Sequence, residues 1–112
     1  MADKKKSRDI KIVKPCVDEP DRFIAESRLK SSVVMEKLCA VLEKKTKEGT
    51  ISNLKCSIKL GVAKFEFGGK TVFIYKNGKI DIRRIIDLSD ATSIISFLEE
   101  MIKTAFIDTS FC

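Results

Sequence analysis

Enzymatic chemistry usually shows in a sequence as histidine, cysteine or carboxylate at short spacings, and few such combinations occur here. The chain has no histidine and four cysteines, at positions 16, 39, 56 and 112. The missing imidazole removes the commonest general base and the usual partner of a nucleophilic serine or cysteine. No C-x-x-C pair occurs, so a zinc site is not expected. Cys39 lies on the apolar side of a helical pattern and Cys56 in a strand-like run, where both read as ordinary buried thiols. Cys16 follows Pro15 with nothing nearby to activate it, and its role and that of residues 15 to 21 stay open. Asp87 and Asp90 sit at a helix start, where carboxylates offset the dipole, and are not read as an acid–base pair. Gly68-Gly69-Lys70 lacks the following helix and Ser/Thr of a phosphate loop and reads as a hairpin. The expectation is therefore a non-enzyme, with no catalytic residue, metal, cofactor or small-molecule substrate.

Recognition chemistry is better represented. Lys64, Phe73, Tyr75, Lys76, Lys79 and Arg83 interleave cations with aromatic rings and form the candidate binding face. Aromatic faces among cations suit the bases of a single strand, and an apolar wedge suits a bent minor groove. Glu66 and Asp81 lie among the same residues and oppose a polyanion.

Positioning these six residues falls to the stretch from 62 to 85. Gly68-Gly69 and Lys76-Asn77-Gly78 divide it into three β-type runs, which read as an antiparallel meander. Two registers are self-consistent, because loop length decides which side chains reach the core. In the first, Gly68-Gly69-Lys70 is a three-residue loop and Asn77-Gly78 a two-residue turn. Phe65 then lies with Phe73, Tyr75 lies with Ile80, and all three aromatics are buried. In the second, Gly68-Gly69 is the turn and Lys76-Asn77-Gly78 a loop with glycine in a left-handed bulge position. Phe65, Phe67, Val72, Ile74, Ile80 and Ile82 are then core. Phe73 and Tyr75 share the open face with Lys64, Glu66, Asp81 and Arg83. This second register keeps the Tyr75 hydroxyl near water.

Around the meander, residues 1–9 read as a flexible basic tail and 10–112 as a single α+β domain. Residues 10 to 13 suggest a short edge strand, soon broken by Pro15 and Pro20. Residues 22 to 29 alternate, with Phe23, Ala25, Ser27 and Leu29 on one side, and read as the first strand of the fold. A helical turn there is the alternative. Ser31-Ser32 supplies an N-cap for a helix with the stripe Val34, Leu38, Val41 and Leu42, closed by Lys44, Lys45 and Lys47 before Gly49. Residues 56 to 60 can add a strand. A last helix opens at Asp87 or Ser89 and carries Ala91, Ile94, Ile95, Leu98, Met101, Ile102 and Ala105 on its apolar face. This order predicts an α+β fold: an antiparallel sheet of four to five strands with two helices on one face.

Composition sets the outer bounds. At 112 residues, the chain suits one core. No apolar run approaches twenty residues, and the basic amino terminus has no apolar stretch behind it. A cytoplasmic location and no membrane partner are expected. Much of the net charge of +6 sits in Lys4, Lys5, Lys6 and Arg8, a solvated tail or one that touches nucleic acid.

Ile74-Tyr-Lys-Asn-Gly-Lys-Ile80, followed by Asp90-Ala91 at the start of the last helix, resembles one half-repeat of the TATA-box-binding-protein family. In that family a hydrophobic strand ending in Phe, a Ser-Ser-Gly-Lys turn, another strand and a helix beginning near Asp/Glu-Asp-Ala follow one another. The resemblance covers about residues 60 to 106, and the preceding strand and helix fit the same half-repeat in order. Small archaeal proteins share this pattern too, and the chain looks like one of them. The resemblance implies that Tyr75 stands where the family has a minor-groove wedge on its concave face, which goes with the second register. Asp81 and Arg83 stand where the family has small or apolar residues, and a carboxylate there repels DNA. One half-repeat alone would need a dimer to form a saddle.

The reading that follows is an interaction module whose open sheet face or edge strand binds a protein partner or a second copy as a homodimer. It rests on strand 71–75 being apolar on both sides. The alternative is a nucleic-acid-binding protein using the basic, aromatic open face. If residues 10 to 17 cover that face, the chain is a plain monomer.

Overall fold

Alternating apolar and polar residues become strands wherever one face can be buried. In a computed structural model of the protein, residues 10–15, 22–29 and 31–106 are described. The expected tail at 1–9, the segment 16–21 with Cys16, and Cys112 lie outside the described residues. The strands are Lys11–Pro15 (β1), Phe23–Arg28 (β2), Ser52–Ser57 (β3), Val62–Phe67 (β4), Lys70–Tyr75 (β5) and Lys79–Ile85 (β6). They form one antiparallel sheet in the order β1-β2-β6-β5-β4-β3. Two helices, Met35–Lys47 (α1) and Leu88–Met101 (α2), and a 3-10 helix at Lys103–Ala105 complete the order. The class is α+β as expected, with six strands where four to five were expected.

Residues 22 to 29 resolve as a strand and not a helical turn. Ala25, Ser27 and Leu29 are buried on the core side, while Arg28 is exposed. One core joins that side of the sheet to both helices: Phe65, Val72, Ile74, Ile80 and Ile82 meet Leu38 and Leu42 of α1 and Ile95 and Leu98 of α2. Both helices thus lie on one face. Phe97 of α2 also stacks on Phe67 of β4, ring centroids 4.9 Å apart.

Three local expectations change. Ser31 and Ser32 do not cap α1, which begins at Met35 with Val34 still extended. The linker is held extended because Val33 pairs with Phe106 and the Val34 amide donates to the Ala105 carbonyl at 2.8 Å. The third strand runs from 52 to 57, not from 56 to 60. Ser57 closes it: its hydroxyl accepts from the Leu60 amide at 3.0 Å, and its carbonyl from the Gly61 amide at 2.9 Å. Finally, Cys39 and Cys56 are not separate thiols. They form a disulfide that ties α1 to β3, with Cα atoms 5.7 Å apart.

The last helix opens as expected. The Asp87 side chain accepts from the Asp90 amide at 2.8 Å, and the Asp90 carboxylate accepts from the Ile86 amide at 2.9 Å, a reciprocal cap. Among the described residues, no helix is long and apolar enough to cross a membrane.

Candidate functional site: the open face of the sheet

Of the two registers, the structure adopts the second. Phe67 pairs with Lys70 across Gly68-Gly69, whose φ angles of +57° and +81° suit a tight hairpin turn. Ile74 pairs with Ile80, and Gly78 sits at φ +93° with its amide bonded to the Tyr75 carbonyl at 2.9 Å. Phe65, Val72, Ile74, Ile80 and Ile82 are buried, and Phe73 and Tyr75 lie half-buried on the opposite face. Residues 10 to 15 do not lie over that face. Residues 11 to 15 extend the sheet sideways as β1, and 16 and 17 are outside the described residues.

Cross-strand pairing arranges the open face in rows. The middle row crosses all six strands: Lys11, Glu26, Asp81, Phe73, Lys64 and Lys55 are successive partners. On one side of it run Arg28 with Lys79, then Tyr75 with Val62 and Ser57. On the other side, Arg83 pairs with Thr71, which pairs with Glu66. Five of the six expected residues therefore share this face. Lys76 stands at its margin, in the β5–β6 turn, with its amide on the Gly61 carbonyl at 2.8 Å.

Each aromatic ring carries cations. Arg83 lies 5.3 Å and Lys64 Nζ 5.8 Å from the Phe73 centroid, and Lys79 Nζ lies 5.9 Å from that of Tyr75, all within cation–π range. Asp81 stands between the rings. The Tyr75 hydroxyl and Lys79 favour its charged form, while its Oδ1 is buried with no hydrogen-bond partner and 4.0 Å from Lys79 Nζ. Burial pushes the Asp81 carboxyl above its ordinary value, against the pull of Lys79, and Glu26 adds to the rise. Burial, then Asp81, raises the Tyr75 phenol as well.

Arg84 escaped the pattern reading. Strict alternation along β6 would turn Arg84 into the core. Between the pairs Phe23–Ile85 and Ala25–Ile82, β6 carries one residue more than β2, which is a β-bulge. Arg84 takes φ +69° there, and its guanidinium donates to Thr71 Oγ1 at 3.2 Å on the open face. The signal was the polar doublet in Ile82-Arg83-Arg84-Ile85, which breaks an otherwise alternating strand. Lys11, Arg28 and Lys55 also join the face, through pairings of the outer strands that composition does not reveal.

The face thus carries Lys11, Arg28, Lys55, Lys64, Lys79, Arg83 and Arg84 against Glu26, Glu66 and Asp81. Such a surface can hold an extended anion and stack planar groups. Among the described residues, no three of the histidine, cysteine, aspartate or glutamate side chains are grouped to hold a metal ion. No family model, curated protein or solved structure matches the chain.

Proposed function

We propose that this protein is a non-enzymatic binding module that takes single-stranded nucleic acid across the open face of its sheet. The carrying observation is the β6 bulge, which sets Arg83 and Arg84 side by side next to Phe73. A non-glycine residue at positive φ costs on the order of 1 kcal/mol, and here that strain adds a cation to an already basic surface. Phe73 and Tyr75, two positions apart on β5, supply stacking platforms, and arginine over a ring can extend a stack onto a base. Glu66 and Asp81 share the face and disfavour the close double phosphate rows of a duplex groove.

The resemblance to a TATA-box-binding-protein half-repeat, and to small archaeal proteins, belongs to this proposal. The succession β2, α1, β3 to β6, α2 and the open-face position of Tyr75 support it. A cytoplasmic location belongs here too. The Cys39–Cys56 bond is unusual in most cytosols and ordinary in those of hyperthermophilic archaea.

Labelled oligonucleotides of about 16 nucleotides, titrated at low and raised salt, test the reading. Binding that weakens with salt and with Arg83→Ala supports it. No binding at low salt ends it.

A second reading, docking of a protein partner or a second copy in a homodimer, is favoured by the apolar area that Ile24, Val62, Phe73 and Tyr75 leave on the face. The cations over both rings reduce that area. Both edges are also poor templates for strand addition: β1 has a bulge and Pro15, and β3 has a bulge at Asn53 beside Lys55. Light scattering with Phe73→Ala separates the two readings. A dimer lost on substitution favours docking, and an unchanged monomer opposes it.

A further inference from the structure

Beyond the end of the row formed by Tyr75, Val62 and Ser57, the β3–β4 turn exposes Ile58 and Leu60. Leu60 is 78% and Ile58 50% exposed, although both are large aliphatic residues that gain by leaving water. Lys59 stands between them, and all three line a shallow hollow of about 330 Å³ with Lys76 and Asn77 of the neighbouring turn. We propose that this tip docks on an anionic lipid surface, with Ile58 and Leu60 entering the acyl boundary and the lysines meeting the headgroups.

Charge supplies the first argument. Between Glu48 and Glu66 the chain has no carboxylate. Lys59 stands in the turn itself and Lys76 lies beside Gly61, both lining the hollow, while Lys55 and Lys64 lie further in on the sheet face. A cationic rim around an apolar point matches a bilayer that is negative at its surface and apolar beneath. A nucleic acid would satisfy the lysines and leave the two aliphatic side chains in water, so lipid is the better complement. The second argument is rigidity. Ser57 braces the turn through two hydrogen bonds, the Lys76 amide pins Gly61, and the disulfide fastens the adjacent Cys56 to α1. A braced tip loses little conformational entropy when it docks. No membrane-spanning segment is needed for such docking.

Co-sedimentation with vesicles of phosphatidylcholine, with and without phosphatidylserine, tests the proposal. The native chain should bind only the anionic vesicles. The double variant Ile58→Ser, Leu60→Ser should lose about tenfold or more in affinity, with its melting temperature and oligonucleotide binding unchanged. Lys59→Glu should weaken vesicle binding and flatten its loss with salt. Equal binding to neutral vesicles, no binding to either, or anionic binding unaffected by the double variant each overturns the proposal. Oligonucleotide binding is read separately, so failure here leaves the open-face reading standing, and the reverse also holds.

Discussion

Glu26 and Asp81 are direct cross-strand partners on the open face of the sheet, two carboxylates set opposite one another where like charges destabilise. Asp81 bears the consequence, its carboxyl raised by burial and by Glu26. The native chain therefore holds that proton more tightly than the unfolded chain, whose carboxylate has the ordinary value of 3.8. Stability is fully present below that value and is lost as pH rises through the raised native one. Asp81→Asn should melt higher than the native chain at pH 7, and the gap should close on acidification. Thermal melts across pH check this, and a variant that melts lower at pH 7 refutes it. Oligonucleotide binding should also tighten as pH falls into the same range, because the face sheds a negative charge.

Arg84 offers a variant in which stability and binding part company. Arg84→Gly relieves the left-handed strain, worth about 1–2 kcal/mol, and gives up the bond to Thr71 Oγ1, worth about 1 kcal/mol. Melting temperature should hold or rise while affinity for single strands falls several-fold. The salt slope should flatten by about 0.7 for each phosphate that the variant no longer neutralises. A stability loss above about 1 kcal/mol with binding intact would mean that the bulge serves the fold alone.

The Cys39–Cys56 bond closes a loop with a sequence separation of 17. A cross-link of that span stabilises by about 3 kcal/mol in the chain-entropy account. Reductant, or Cys39→Ala with Cys56→Ala, should lower the denaturation midpoint accordingly, and the two treatments should not add. A midpoint indifferent to both refutes the bond's contribution.

Gly78 meets two constraints at once. Its φ is +93°, and a Cβ there would lie 2.7 Å from the Ser31 carbonyl oxygen. That carbonyl belongs to the β2–α1 linker, which is tied to the same turn by Leu29 to Gly78 at 2.7 Å and Val33 to Lys76 at 3.0 Å. Gly78→Ala should cost about 2–3 kcal/mol, measured by denaturant unfolding, whereas Gly69→Ala, with open space around it, should cost about 1 kcal/mol.

Local periodicity carried much of the architecture. The strand at 62–67 and that at 79–85 needed only alternation and turn glycines, and Asp87 declared its helix through a cap that depends on a few neighbouring residues. The register was legible as two options, because glycine spacing allowed both, and the core decided between them. What sequence hid was long-range. Cys39 and Cys56 become partners only once α1 packs on β3, and the start of α1 depends on Val33 meeting Phe106 from the far end of the chain. Five of the six candidate face residues were legible because they cluster around the meander. Lys11, Arg28 and Lys55 were not, since their place depends on strand neighbours distant in sequence.

The β6 bulge also has a genetic reading. Deleting either arginine of the doublet would restore simple alternation from Ile80 through Ile85, letting β6 match β2 residue for residue. One codon therefore separates this sheet from a more regular one with a positive charge fewer on its working surface.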